Sequence, residues 1–151
     1  MPSFLIGFFS NVYFGLFAYS LLASTLIPFG SEGFLALFIS QGFNIPLLIL
    51  SATVGNYLGS VTNYYIGLKG SKTIFHKVVK FSGKEIGKAE RLFKKYGPVV
   101  LFFSWIPIIG DPLTMVAGLL KYDFKKFTFY VLSGKLLRYI VIALLISGII
   151  N

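Results

Sequence analysis

Ser104-Trp105-Ile106-Pro107-Ile108-Ile109-Gly110-Asp111-Pro112 interrupts an otherwise apolar run from Pro98 to Leu120. A continuous membrane helix does not accommodate two prolines, a glycine and an aspartate so close together, because the freed backbone groups and the carboxylate would find no water there. The chain has to turn here. Irregular backbone at membrane depth survives only inside protein or along a wet cavity, and an intramembrane carboxylate is by default a candidate functional group. Upstream, Leu26-Ile27-Pro28-Phe29-Gly30-Ser31-Glu32 repeats the arrangement, with Glu32 four residues after Pro28 as Asp111 is four after Pro107. Two matched broken segments point to a pore or transport site between them.

The composition, 56% hydrophobic and 18% aromatic with a mean hydropathy of +0.80, is that of an integral membrane protein. The net charge of +9 is confined in sequence: Lys69 is the first basic residue, and nine of the fourteen Lys and Arg lie between Lys69 and Lys95. Such blocking follows the positive-inside rule and implies contact with anionic lipid headgroups, not nucleic acid. With no cysteine and one histidine, His76, disulfides, thiolate chemistry and histidine-based metal or triad sites have no material. No cofactor, metal or enzymatic activity is expected.

In chain order the pattern predicts a single domain over 1–151. Residues 1–22 form a retained span, 23–44 a re-entrant hairpin, 45–68 a second span, 69–97 cytoplasmic amphipathic helices, 98–120 a second hairpin and 127–150 a last span. The fold class is therefore all-α, with about three spanning helices, two re-entrant helical hairpins and amphipathic interfacial helices. Pro28 and Gly30 at one tip, and Pro107, Gly110 and Pro112 at the other, are the backbone devices of the turns. Gly55, Gly59 and Asn63 repeat at four-residue spacing, so the glycines serve close helix packing, within the chain or in a homo-oligomer. Asn56 and Asn63 either bond a neighbouring helix or line a substrate path, as Ser104 and Trp105 could.

Ile74, Phe75, Val78 and Val79 share a helical face, His76 reads as interfacial, and Ser82 with Glu85 forms a capping box for a helix stopped by Gly97-Pro98. That helix carries its own apolar stripe and is expected on the membrane surface. In the last span Lys135 and Arg138 are three apart on one face. Lys135 is placed to snorkel; Arg138, deeper, needs an anion or a polar cavity. Charge puts the N-terminus and 69–97 in the cytoplasm and the C-terminus outside.

Taken together, these residues resemble the DedA family, also described as the SNARE-associated or VTT domain, and within it the smaller YqaA-like branch. The resemblance runs from about Ser24 to Tyr139. It rests on the Pro28–Glu32 turn, on Gly55-Asn56 with Gly59, Tyr64 and Gly67, on Lys95-Tyr96-Gly97, on Ser104-Trp105-Ile106-Pro107 with Gly110-Asp111-Pro112 and Ala117-Gly118, and on Gly134-Lys135 with Arg138-Tyr139. It implies a bacterial inner-membrane protein whose two hairpins meet in the bilayer, in a family linked to membrane-potential and pH homeostasis and to moving polyprenyl phosphate or phospholipid. Ser104, Gly110 and Leu68 stand where the main family pattern carries arginines.

The expected function is a flippase-like transporter moving a phosphate-bearing lipid headgroup, coupled to protons or another cation. Arg138, aided by Lys135, would hold the phosphate while Glu32 or Asp111 carries the proton. Two alternatives stand beside it: Arg138 simply pairs with an acid and holds the bundle together, or the chain is a non-transporting scaffold that recruits partners through its basic helices.

Overall fold

The computed structural model describes residues 3–25, 30–70 and 82–150, with side chains over 11–25, 30–70 and 82–149. Pro28, His76 and the face of Ile74, Phe75, Val78 and Val79 lie outside the described residues. The described residues form helices and no strand: α1 (Ser3–Thr25), α2 (Glu32–Ser40), α3 (Ile45–Lys69), α4 (Gly83–Tyr96), a 3₁₀ segment (Gly97–Phe103), α5 (Gly110–Leu119) and α6 (Phe124–Ile150).

The helix boundaries follow from local chemistry. Asn44 caps α3 by accepting from the Leu47 amide at 3.0 Å, and Gly70, at φ 58°, closes it. Ser82 and Glu85 form the reciprocal capping box of α4. Asp123 accepts from the Lys126 amide at 2.9 Å, which is why α6 starts at Phe124, ahead of the predicted boundary at residue 127. Among the described residues, α3 and α6 are the helices long and apolar enough to cross a membrane. Their outward faces carry exposed Leu47, Leu50 and Leu58, and Leu137, Leu144 and Leu145, a surface suited to lipid.

These two long helices cross antiparallel. Tyr64 and Phe127 stack at a 4.7 Å centroid distance towards one end, the Lys135 ammonium donates to Asn56 Oδ1 in the middle, and Leu48 shares a core with Ala143 towards the other end. Asn56 and Lys135 are 79 residues apart, and the same offset relates one half of the described fold to the other. Glu32 at the start of α2 matches Asp111 at the start of α5, and the Asn44 cap matches the Asp123 cap. After α2, Gly42 N–H bonds Ile39 O and Phe43 N–H bonds Phe38 O; after α5, Lys121 N–H bonds Gly118 O and Tyr122 N–H bonds Ala117 O. Both are Schellman closures, with Gly42 at φ 81° and Lys121 at φ 52° in the left-handed position. Residues related by the offset meet where the halves cross, which makes this an inverted pair of hairpin-plus-long-helix units.

Residues 1–22 were expected as a span ahead of a hairpin over 23–44. In the structure α1 runs to Thr25 and parallel to α3: Gly55 abuts Phe17, Gly59 abuts Leu21, and the Asn63 amide donates to Ser24 O. Helix α1 is thus the long first limb of the hairpin, and α2 is its short return. Tyr13, midway along α1, accepts from the Asn44 N–H at the end of α3 opposite Lys69. The apolar stripe of α4 packs in part on the protein: Ala89 and Phe93 are buried and Phe93 packs edge-on against Tyr122, while its basic residues and Tyr96 look outward.

The second hairpin enters beside α4. The 3₁₀ segment descends to Gly134, whose missing Cβ admits the Phe102 carbonyl, the chain turns over 104–109, and α5 returns. Where α5 crosses α3, Gly67 and Gly118 each face the other helix's backbone, at Met115 O and Tyr64 O. The small residues are therefore used for packing inside the chain. Gly118→Ala and Gly55→Ala are each expected to lower stability by about 1–3 kcal/mol because a methyl there meets backbone. Gly87→Ala, facing open space on α4, should instead gain about 0.5–1 kcal/mol. Thermal melts of the purified protein in one detergent check both.

Candidate functional site

Two polar clusters occupy the interior at mid-length of α3 and α6. In the first, Asp111 opens α5 and accepts from Ser24 Oγ at 2.9 Å, while Ser24 Oγ lies 3.3 Å from Ser60 Oγ. Thr114 donates to the Asp111 carbonyl at 2.6 Å, closing the first turn of the helix. The Lys135 ammonium lies 3.9 Å from Asp111 Oδ1 and donates to Asn56 Oδ1, whose amide end in turn donates to Ser20 O at 3.2 Å. Lys135 is 2% exposed. It turns inward instead of snorkelling, because the buried amide and carboxylate satisfy it where a route along the helix would not.

In the second cluster, Arg138 Nη2 forms an ion pair with Glu32 Oε1 at the start of α2. Next to it Ser31 Oγ and Tyr139 OH share a 2.5 Å hydrogen bond, and both residues are fully buried. The Arg138 side chain is 14% exposed and that of Glu32 29%. Arg138 lies fourteen residues past Phe124 and twelve before Ile150, halfway along α6. A surface pair would contribute little; at this depth each charge depends on the other.

Each hairpin delivers its acid to a different cation of α6: Glu32 to Arg138 from one end, Asp111 to Lys135 from the other. Asn56 and Asn63 are buried and clip α3 to carbonyls of α1. Gly30 is exposed, and a Cβ there would strike the Glu32 carboxylate. Gly110 packs on the Ser104 carbonyl and Pro112 is buried in the first turn of α5. Pro107 is exposed and Trp105 half-buried. Ser104 is buried, and its hydroxyl has no hydrogen-bond partner among the described residues. Ile108 at the tip is 78% exposed with φ 72°, an unusual backbone for a β-branched residue.

Ser24, Ser31, Ser60 and Tyr139 were not singled out as site residues by sequence. For Ser60 a signal existed, since Asn56, Ser60 and Asn63 recur at helical spacing on the glycine-bearing face. Ser24 and Ser31 lie in stretches whose partners come from distant helices, so nothing local marks them.

The VTT domain family model matches residues 27–148. The chain belongs to the VTT domain family. It is therefore a membrane protein of the DedA group. It is 38% identical over 131 residues to the inner membrane protein YqaA of Escherichia coli K12, covering 86% of this chain and 87% of that one. An uncharacterized protein of Haemophilus influenzae is 33% identical over 140 residues, 86% of this chain and 84% of its own. A Lactococcus lactis protein named alkaline phosphatase-like is 28% identical over 148 residues, 88% of this chain and 68% of its own. No solved structure matches the chain.

Removing one member of the Arg138–Glu32 pair leaves a half-buried charge, whereas removing both does not. Arg138→Leu or Glu32→Leu alone should each lose up to about 3 kcal/mol, and the double substitution less than the sum. A double-mutant cycle from denaturation in detergent measures the difference.

Proposed function

We propose that this protein is a flippase-like transporter of the bacterial inner membrane that moves a phosphate-bearing lipid headgroup, polyprenyl phosphate or phospholipid, coupled to protons or another cation. The observation that carries this reading is Arg138: a guanidinium halfway along a long apolar helix, held by one carboxylate and still partly exposed. Guanidinium matches phosphate in a bidentate way, so an arriving headgroup competes directly with Glu32. A carboxylate that loses its counter-charge in a poorly solvated site takes up a proton, which ties headgroup movement to proton uptake. The acyl tail stays in lipid throughout, so only the headgroup needs the polar interior.

The inverted halves support this reading, because a site between two such units can open to either side as the units rock. With the basic blocks cytoplasmic, Lys69, α4 and Lys121, Lys125 and Lys126 face inward. The start of α1 and the end of α6 then both face outward. The name of the Escherichia coli relative supports the inner membrane as location. The phosphatase-like name of the Lactococcus relative is compatible with phosphate as a ligand. We read the chain as a transporter and not a hydrolase, since it has no cysteine and a lone histidine with which to build a nucleophile and base.

A second reading, a non-transporting scaffold, is favoured by one feature: Lys84, Lys88, Arg91 and Lys95 form a fully outward stripe on α4 at helical spacing. The two readings separate in proteoliposomes carrying a fluorescent phospholipid or polyprenyl phosphate, with and without a pH gradient. For a transporter, Arg138→Met slows headgroup translocation at least about tenfold, as expected when roughly 1.4 kcal/mol or more of phosphate binding is lost, and Glu32→Gln slows translocation driven by a pH gradient because the coupling carboxylate is gone. Normal flux in folded variants of both kinds would sink the proposal. A scaffold instead loses function when Lys84, Lys88, Arg91, Lys94 and Lys95 are neutralised, and tolerates the interior changes.

A further inference from the structure

Lys135 is the one predicted phosphate ligand that does not face where a phosphate could arrive. Its ammonium is fully buried at the crossing of α3 and α6, and its recorded partners are oxygens of the protein. Those oxygens are fixed without its help. Asn56 Oδ1 is aimed by the amide's own bond to Ser20 O, and Asp111 Oδ1 by the bond from Ser24 Oγ, itself within 3.3 Å of Ser60 Oγ. Transporters coordinate alkali cations with oxygens at broken helices, and an amide oxygen, a carboxylate oxygen and neighbouring hydroxyls gather here beside one.

We infer that the Lys135 ammonium is a tethered cation occupying a monovalent alkali-metal site formed by Asn56, Asp111, Ser24 and Ser60. Charge selects the class. One carboxylate balances one positive charge, so a divalent ion would leave an uncompensated charge in the interior. The inverted repeat explains how the tether reaches the place: Lys135 and Asn56 are equivalent positions, and the pseudo-twofold relation brings them together at the crossing, one supplying the cation and the other an oxygen. Because the tether never leaves, the site holds its cation permanently. Applied to the transport reading, on which this last step rests, sodium and potassium are excluded as coupling ions at this site.

The test uses the full chain purified in a zwitterionic detergent, with melting followed in sodium, potassium or N-methyl-D-glucamine chloride at equal ionic strength. Wild type should melt alike in all three. Lys135→Ala and Lys135→Gln should melt lower in N-methyl-D-glucamine, and sodium or potassium should restore about 5 °C or more, as an ion bound only to the folded state does. Adding Asp111→Asn to Lys135→Ala should abolish the cation dependence. The inference is overturned if the small cations rescue no better than N-methyl-D-glucamine, if wild type gains as much from them as the variants do, or if neither variant folds in sodium. None of these readouts uses lipid flux, so a failure of the flippase reading leaves this result standing, and the reverse holds too.

Discussion

A buried ammonium, held between an amide of one long helix and a carboxylate of the opposite hairpin, fixes how the two halves of this protein meet. Three elements converge on it: Lys135 from α6, Asn56 from α3 and Asp111 from α5. Through Asn56 and Ser24 the same contact reaches α1. In a bilayer there is little hydrophobic gain in bringing apolar helices together, so close packing and buried polar contacts have to set the arrangement. Here they act jointly. The glycines of α3 let α1 and α5 approach to backbone distance, and the polar groups then select the register at which that approach is satisfied.

The two cores show the same division of labour. One gathers Leu35, Ile39, Leu48 and Ala52 with Tyr139 and Ala143; the other gathers Leu113, Val116, Phe127 and Val131 with Tyr64. Each combines one half's hairpin and long-helix start with the later part of the other half's long helix, and the second also takes Ala89 and Phe93 from α4. Neither core closes within its own half. The charged pairs differ in a way the apolar cores do not: the position of α3 equivalent to Arg138 is Gly59, so Asp111 meets the Ser24 hydroxyl where Glu32 meets a guanidinium. The halves share a frame but present different chemistry, a guanidinium paired with Glu32 in one and a buried ammonium beside Asp111 in the other.

Much of this was legible in the residues. Pro107, Gly110 and Pro112 announce the break because proline and glycine remove donors and loosen backbone whatever surrounds them, and Ser82 with Glu85 announces a helix start by purely local bonding. Membrane residence follows from composition. The direction of α1 was not legible, because an apolar helix reads the same as a span or as one limb of a hairpin; only the side chains it meets on α3 decide. The partners of Lys135 and Arg138 were hidden for a related reason. Three-residue spacing puts both on one face, but hairpins approaching from opposite ends reach different heights on that face, and height is set by tertiary packing alone.

The pairing of Glu32 with Arg138 has a consequence for biogenesis. During synthesis the carboxylate emerges with the first hairpin, long before the helix that neutralises it leaves the ribosome. Until then the hairpin has no counter-ion at its destination, so the insertion machinery must keep it near the headgroups, or deliver it uncharged. The later long helix therefore seats the earlier hairpin, and the pair is complete only once α6 has been made.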